Sequence, residues 1–280
     1  PGVPALVLES LLFAYLFITF IATTVGIVGG SMQPTLSGGP TGANRLQAVF
    51  TGDRVFVPKY ETWLRRVGLL GQYERGAIVV FREPSNAPNA LRSGRRTLLI
   101  KRVVGVPGDR VRIEAGQVYI NGTALDQSFI TGAGTMRVQP IDFPKVVVDD
   151  GTVEALVMGF NDALARASVP VLPWPDSDHP AVPVDDQRVQ LYYGAVLANT
   201  EVPDDGAGEQ TLVVDFVVPE GTYFLLGDNR SFGGSEDSRF FGPVDASAIT
   251  GRATAVIWPP FRAGQWNLRT LAPPATFATP

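Results

Sequence analysis

The 280-residue chain has no cysteine. That absence excludes disulfides, a thiol nucleophile and any thiolate metal site. It has one histidine, His179, which excludes a multi-histidine metal cluster. Basic charge is not in excess: 23 Lys and Arg stand against 27 Asp and Glu, a net −4. A general nucleic-acid partner needs a basic surface and is therefore not expected. Only 18% of residues are charged while 45% are hydrophobic, enough to core one large domain or two small ones. What is plentiful is glycine, 30 residues, and proline, 23 residues, which suits a turn-rich β protein with irregular loops.

Residues 5–28 carry one charge, Glu9. As a helix rising 1.5 Å per residue, such a stretch crosses the roughly 30 Å hydrocarbon layer of a bilayer. The rival reading is a cleaved export leader. The apolar run exceeds the usual 7–15 residue leader core, and no Lys or Arg precedes it, so a retained anchor over residues 1–30 is expected. The chain begins at Pro1 rather than Met, which leaves room for residues upstream.

Beyond the anchor the pattern is mostly strand. Asp53–Pro58, Ala77–Phe81, Thr97–Val106, Val111–Ile113, Val118–Ile120, Thr211–Val218, Thr222–Leu226 and Ile249–Trp258 are short and rich in β-branched residues. Ala115-Gly116 and Asn121-Gly122 mark tight turns. Residues 123–210 differ, being rich in Pro, Asp and Gly. Within them Val153, Leu156, Val157, Phe160 and Leu164 recur at helical spacing, predicting an amphipathic helix near 152–167. The layout expected is an anchor at 1–30, a β core at 31–122, an inserted accessory segment at 123–210, and the rest of the core with the tail at 211–280.

Ser31 follows the apolar run directly, in Gly29-Gly30-Ser31-Met32-Gln33-Pro34-Thr35-Leu36. A serine hydroxyl is a poor nucleophile until a base takes its proton. His179 lies in a polar, proline-rich loop where a solvated role is ordinary. Lys101 is the better base, lying in the apolar stretch Leu98-Leu99-Ile100-Lys101-Arg102-Val103-Val104. Acting near neutrality, a lysine must lose roughly three pKa units, about 4 kcal/mol, which desolvation supplies. On a strand, Leu99, Lys101 and Val103 share one face. The competing reading is an edge-strand lysine facing water.

Five motifs occur in order behind the apolar run. They are Ser31–Leu36; Gly52–Lys59; Arg75–Phe81; Ile100–Asp109; and Gly227-Asp228-Asn229-Arg230 continuing through Ser235–Gly242. Together they resemble the bacterial type I signal peptidases, and they cover roughly half the chain. The resemblance implies an N-terminal transmembrane helix followed by a mostly β, antiparallel catalytic domain with an inserted α/β accessory segment. It makes Ser31 the nucleophile, Lys101 the general base and Ser235 the hydroxyl that orients the lysine. It pairs Asp237 with Arg239 and Asp228 with Arg102, and puts Met32 and Ile100 in the apolar floor that receives substrate. Gly29 stands where many members carry a serine that assists the oxyanion hole. Four residues, Ser231-Phe232-Gly233-Gly234, separate Arg230 from Ser235 where about two are usual, so Ser238 and Ser231 stay open for the orienting role. Trp258 and Trp266 flank a late Pro-Pro-Phe stretch and suit either core packing or a membrane interface.

The function implied is endoproteolytic removal of signal peptides from exported preproteins, through an acyl-enzyme, with small residues at the first and third positions before the cut. Expected partners are preproteins and membrane lipid, with no nucleic acid, metal or cofactor. The implied location is the cytoplasmic membrane, single-pass, with the catalytic domain on the outer face. Another Ser/Lys protease and a secreted β-rich binding module are the alternatives.

Overall fold

The computed structural model describes residues 2–39, 47, 50–87, 90, 93–114, 116–131, 145–149, 152–156, 182–183, 200–201, 208–211, 213–230 and 234–278. An apolar helix opens the chain. Its α-helical part, α1 (Val3–Leu16), runs into a wider π-helical turn at Phe17–Ile21. Together they form one exposed helix of 19 residues, with mean hydropathy 2.0, long and apolar enough to cross a membrane. The helix ends earlier than the apolar run does. Ala22–Gly26 is a strand, β1, where the sequence turns to the β-branched Thr23, Thr24 and Val25. The expectation of a helix through Val28 is thus corrected: hydrophobicity continues, but the backbone changes period.

β1 pairs antiparallel with β2 (Arg54–Pro58), which pairs with β17 (Ala255–Trp258) and through it β20 (Arg269–Thr270). A five-stranded antiparallel sheet lies at the centre. Its order is β15 (Val244–Asp245), β14 (Thr222–Leu226), β4 (Leu98–Gly105), β3 (Ile78–Arg82) and β16 (Ile249–Ala253). A third sheet orders β11 (Thr200–Glu201), β13 (Val213–Val217), β5 (Arg110–Glu114), β6 (Gln117–Ile120) and β7 (Thr123–Ala124). A small hairpin, β18 (Phe261–Arg262) and β19 (Gln265–Trp266), stands apart.

Alternation along β3 explains how the central sheet is covered. Ile78 and Val80 pack with Val55, Val57, Met32, Leu36 and Val256 in one cluster. Val79 and Phe81 point the other way, into a cluster with Val103, Leu225, Phe241 and Ile249. A third cluster, including Val104, Phe224 and Leu226, joins the central sheet to Val111, Ile113 and Val118 of the third. The fold is mostly antiparallel β, as expected. The long predicted strand Ile249–Trp258 is two strands, since β16 pairs with β3 and β17 with β2.

The helix expected near 152–167 is not what its first residues form. Thr152–Leu156 is a strand, β9, paired with β8 (Lys145–Asp149) in the register Asp149↔Thr152. The run Val146-Val147-Val148 has the β-branched composition that favours a strand partner. This hairpin continues into a sheet with β10 (Val182–Pro183) and β12 (Gly208–Thr211). The rest of the predicted helix, 157–167, and His179 lie outside the described residues.

Candidate active site

Three segments converge on Ser31. The loop after β1 carries it, β4 brings Lys101, and the turn after β14 brings residues 227–230. Hydrophobic residues anchor the loop on both sides of the serine: Ile27, Met32 and Leu36 are all buried in the cluster under the central sheet. Ile100 packs partly against that same cluster. Met32 and Ile100 thus share one cluster, but the expectation that both receive substrate is corrected for Met32, which is fully buried; only Ile100 keeps an open surface.

Lys101 is only 2% exposed. Its Nζ donates to Ser31 Oγ at 2.9 Å and to the Ile100 carbonyl at 3.1 Å. Burial lowers its pKa, and this outweighs the opposite pull of Asp237 and Glu236. A buried ammonium with a hydroxyl and a carbonyl as partners is poorly compensated, so the charged form is less stable here than on a solvated lysine. The edge-strand alternative does not hold, because β4 lies between β14 and β3.

Below the lysine lie two ion pairs. Arg102 reaches Asp228 through Nε at 2.8 Å and Nη2 at 2.6 Å, with both side chains essentially buried. Arg102 also donates to the Gly76 carbonyl at 2.7 Å, and its guanidinium lies over the Phe129 ring at 5.0 Å. Thr35 donates its hydroxyl to Asp228, which ties the serine loop to this pair. Arg239 pairs with Asp237 at 2.9 and 3.0 Å. Burial alone would raise the Asp237 pKa, but the charge and hydrogen bonds of Arg239 and the Gly227 N–H hold it below the ordinary value. Both ion pairs expected from the sequence are therefore formed.

The expected bond between Ser235 and the lysine is absent. Ser235 is buried, and its Oγ has no hydrogen-bond partner among the described residues. It does belong to the site: a Cβ on Gly227 would overlap Ser235 and lie 2.6 Å from the Ser31 carbonyl oxygen. Only glycine lets its own backbone, that of Ser31 and the Ser235 side chain crowd together. Of the two alternatives, Ser238 is committed elsewhere, its Oγ accepting from the Leu225 N–H at 2.9 Å. Ser231 lies outside the described residues.

Gly29 sits at φ +96° with open space where a Cβ would stand. The Gly38 backbone presses against it so closely that a Cβ on Gly38 would overlap the Gly29 backbone. The loop thus returns on itself glycine against glycine.

Several contributors had no assigned role in the sequence. Asn229 donates its backbone N–H to the Ser31 carbonyl and its side chain to the Gly30 carbonyl, each at 3.0 Å. Arg230, buried and pushed down to about 10 by desolvation, donates to the Gly227 carbonyl at 2.7 Å and Gln127 at 2.9 Å. Asp53 accepts from the Ser37 N–H at 2.8 Å and from Arg262 and Asn267 at 2.8 and 3.0 Å. The motif positions of Asn229, Arg230 and Asp53 were visible, but partners far away in the chain were not. Among the described residues no group of three or more His, Cys, Asp or Glu side chains could hold a metal ion.

Residues 3–258 match the family described as signal peptidase, peptidase S26. A probable signal peptidase I-2 of Synechocystis is 34% identical over 51% of this chain and 52% of its own length. Signal peptidase I of Streptococcus pneumoniae is 27% identical over 88% of this chain and 86% of its own. A crystal structure of a signal peptidase I from Enterococcus faecalis covers 66% of this chain and 99% of its own at 22% identity, with a TM-score of 0.28. So loose a superposition carries no weight, and the fold rests on the strand pairing above. With the family match running from the apolar helix to β17, the chain belongs to the signal peptidase family, peptidase S26, as a serine endopeptidase of the bacterial type I kind.

Proposed function

We propose that Ser31 and Lys101 are the nucleophile and general base of this endopeptidase, acting on signal peptides of exported preproteins. The observation that carries the reading is the 2.9 Å contact between a buried, pKa-lowered Lys101 and Ser31 Oγ. At that separation a neutral Nζ accepts the hydroxyl proton as Oγ attacks the scissile carbonyl. An acyl-enzyme forms, and the resulting ammonium returns its proton to the leaving amine. The neutral lysine then activates water for deacylation. The Ser31 backbone N–H is the proposed first donor to the developing oxyanion, the role backbone N–H groups fill in acyl transfer sites.

The ion pairs act beneath this chemistry as supports. Asp237 and Asp228 fix the backbone at 227–230, which in turn holds the Ser31 loop through Asn229. Ser235 fits the orienting role in one respect: it is a buried hydroxyl, beside Gly227, with no partner among the described residues. Ile100, only partly buried, is the part of the expected apolar floor left open to a substrate side chain, and the fully buried Met32 supports it from beneath.

The exposed helix Val3–Ile21 is read as a single membrane span, roughly 28 Å long. That would hold the domain at the membrane's outer face, where signal peptides emerge. Lipid is then a standing partner, and the chemistry itself calls for no metal or cofactor.

The deciding experiment is cleavage of a preprotein with an Ala-x-Ala site. Wild type should cut after the second alanine, while Ser31→Ala and Lys101→Met should not. Substantial cleavage by either folded variant, or cutting elsewhere, would refute the assignment.

A further inference from the structure

The short helix α2 (Lys59–Arg66) packs the wrong way round for a protein in water. Its polar residues face inward. Glu61 is buried and receives two bonds from Arg252 at 3.0 Å each. Thr62 is buried against the Tyr73 hydroxyl at 3.1 Å, and the Arg65 guanidinium lies 4.5 Å over the Tyr73 ring. The apolar residues face out. Tyr60, Trp63 and Val67 recur at helical spacing on one face and are 47%, 45% and 66% exposed. Leu69 and Leu70, just beyond the helix, are exposed as well. A contiguous apolar surface of this kind marks an interaction site.

Two observations identify what covers it. In the β1–β2 ladder, Ala22 pairs with Pro58. Ala22 is the first residue after the apolar helix, and Pro58 the last before α2, so α2 begins level with the end of that helix. The rings of Phe20 and Trp63 then meet edge to face at 6.0 Å. The exposed face of α2 therefore continues the exposed face of the helix at its exit. Tyrosine and tryptophan prefer the headgroup level of a bilayer. Lys59 opens the helix and complements anionic headgroups, while Arg66 at its other end donates to the Ser247 carbonyl at 3.3 Å.

We propose that α2 and the following residues 67–70 form a second, interfacial anchor, lying in the headgroup boundary of the bilayer that Val3–Ile21 spans. The occupant is an anionic lipid surface, not a protein. This rests on reading Val3–Ile21 as a membrane span. In consequence the catalytic domain is not tethered at one point. The span and α2, joined through a five-residue strand pair, give it two contacts with the membrane and restrict its swivel.

The test uses the full chain, whose lack of cysteine permits single spin labels. Leu11→Cys, Val67→Cys, Leu69→Cys and Arg82→Cys are labelled, checked for retained cleavage, and reconstituted into phosphatidylethanolamine–phosphatidylglycerol vesicles. Relaxation by oxygen is compared with relaxation by a water-soluble nickel chelate. Labels at positions 11, 67 and 69 should respond to oxygen and be shielded from nickel, with 67 and 69 shallower than 11. The label at position 82, on an exposed β3 residue, should respond to nickel. A shielded position 11 with nickel-accessible 67 and 69 would overturn the proposal while leaving the span intact. Positions 67 and 69 closed to both reagents would replace lipid by a protein partner or a second copy. A nickel-accessible position 11 would defeat the span, and this proposal with it.

Discussion

The backbone N–H of Asn229 donates to the carbonyl of Ser31, and the Asn229 side chain donates to the carbonyl of Gly30, both at 3.0 Å. The residue thus clips the 227–230 turn onto the loop that carries the proposed nucleophile. Asn229→Ala removes only the second bond. It should cost about 0.5–1.5 kcal/mol of stability and lower kcat roughly tenfold with KM little changed, for about 1.4 kcal/mol of lost positioning. Thermal melts and steady-state cleavage of a preprotein read both. An unchanged kcat would show that the backbone bond suffices.

Lys101→Met should lower the rate roughly 10²–10⁴-fold, the range for loss of a general base. Lys101→Arg should do the same, since arginine stays protonated. The stability effect has the opposite sign. Because the folded pKa of Lys101 is below its unfolded value, the folded state binds the proton less well. The penalty is full below the folded pKa and fades as pH rises from there toward the unfolded value, about 10.4. Lys101→Met should therefore raise Tm at neutral or acid pH and lose that advantage in alkali. A uniform Tm change across pH would refute the buried-lysine reading.

The same pKa direction shapes the rate of the wild type. Activity should climb with pH to a plateau, with an apparent pKa well below 10.4. A profile that rises only above about pH 10 would place Lys101 in water.

Ser235 and Ser238 should separate cleanly. Ser235 Oγ bonds nothing among the described residues, so Ser235→Ala should leave stability within about 0.5 kcal/mol. If that hydroxyl orients the lysine, cleavage should fall by roughly one to three orders of magnitude. Ser238→Ala strands the buried Leu225 N–H and should cost about 1–3 kcal/mol of stability, with activity following folding. Paired melts and rates decide, and a stable but inactive Ser238→Ala would exchange the two roles.

Gly29→Ser tests the oxyanion side. If a backbone N–H, a hydroxyl or water already serves as second donor, the added serine hydroxyl alone should change the rate less than tenfold. The backbone now argues for a larger loss, because φ +96° strains any residue with a Cβ. A cost of about 1–3 kcal/mol in stability is expected, with a matching fall in activity. Gly38→Ala should be at least as harmful, through overlap with the Gly29 backbone. A hundredfold gain from Gly29→Ser would show instead that the native site lacks a second donor.

Much of the site could be read from local sequence. Ser31 stands out because it follows an apolar run, and Lys101 because it is the one lysine in a stretch of mostly β-branched and apolar residues. The ion pairs Arg102–Asp228 and Arg239–Asp237 came with the family resemblance. The partners of Asn229, Asp53 and Arg230 did not, because each bond spans a large sequence distance and depends on sheet order. The helix expected at 152–167 failed at its first residues for a related reason. Val153 and Leu156 fit a helical period, but β-branched residues before Asp150-Gly151 offered 152–156 a strand to pair with.

Sequence alone determined the apolar helix, the β-rich core and the two residues proposed for chemistry, because these follow from hydrophobicity, propensity and short motifs. The tertiary structure decided the rest. It stopped the helix at Ile21, since Ala22–Gly26 gains ladder bonds from β2 that no local preference reveals. It brought Lys101 within 2.9 Å of Ser31 across 70 residues, and left Ser235 buried with no partner among the described residues where a bond was expected. It also turned the apolar face of Lys59–Arg66 outward. That orientation is settled by what Arg252 and Tyr73 offer to Glu61 and Thr62, so a periodicity that marks the face cannot say which way it points.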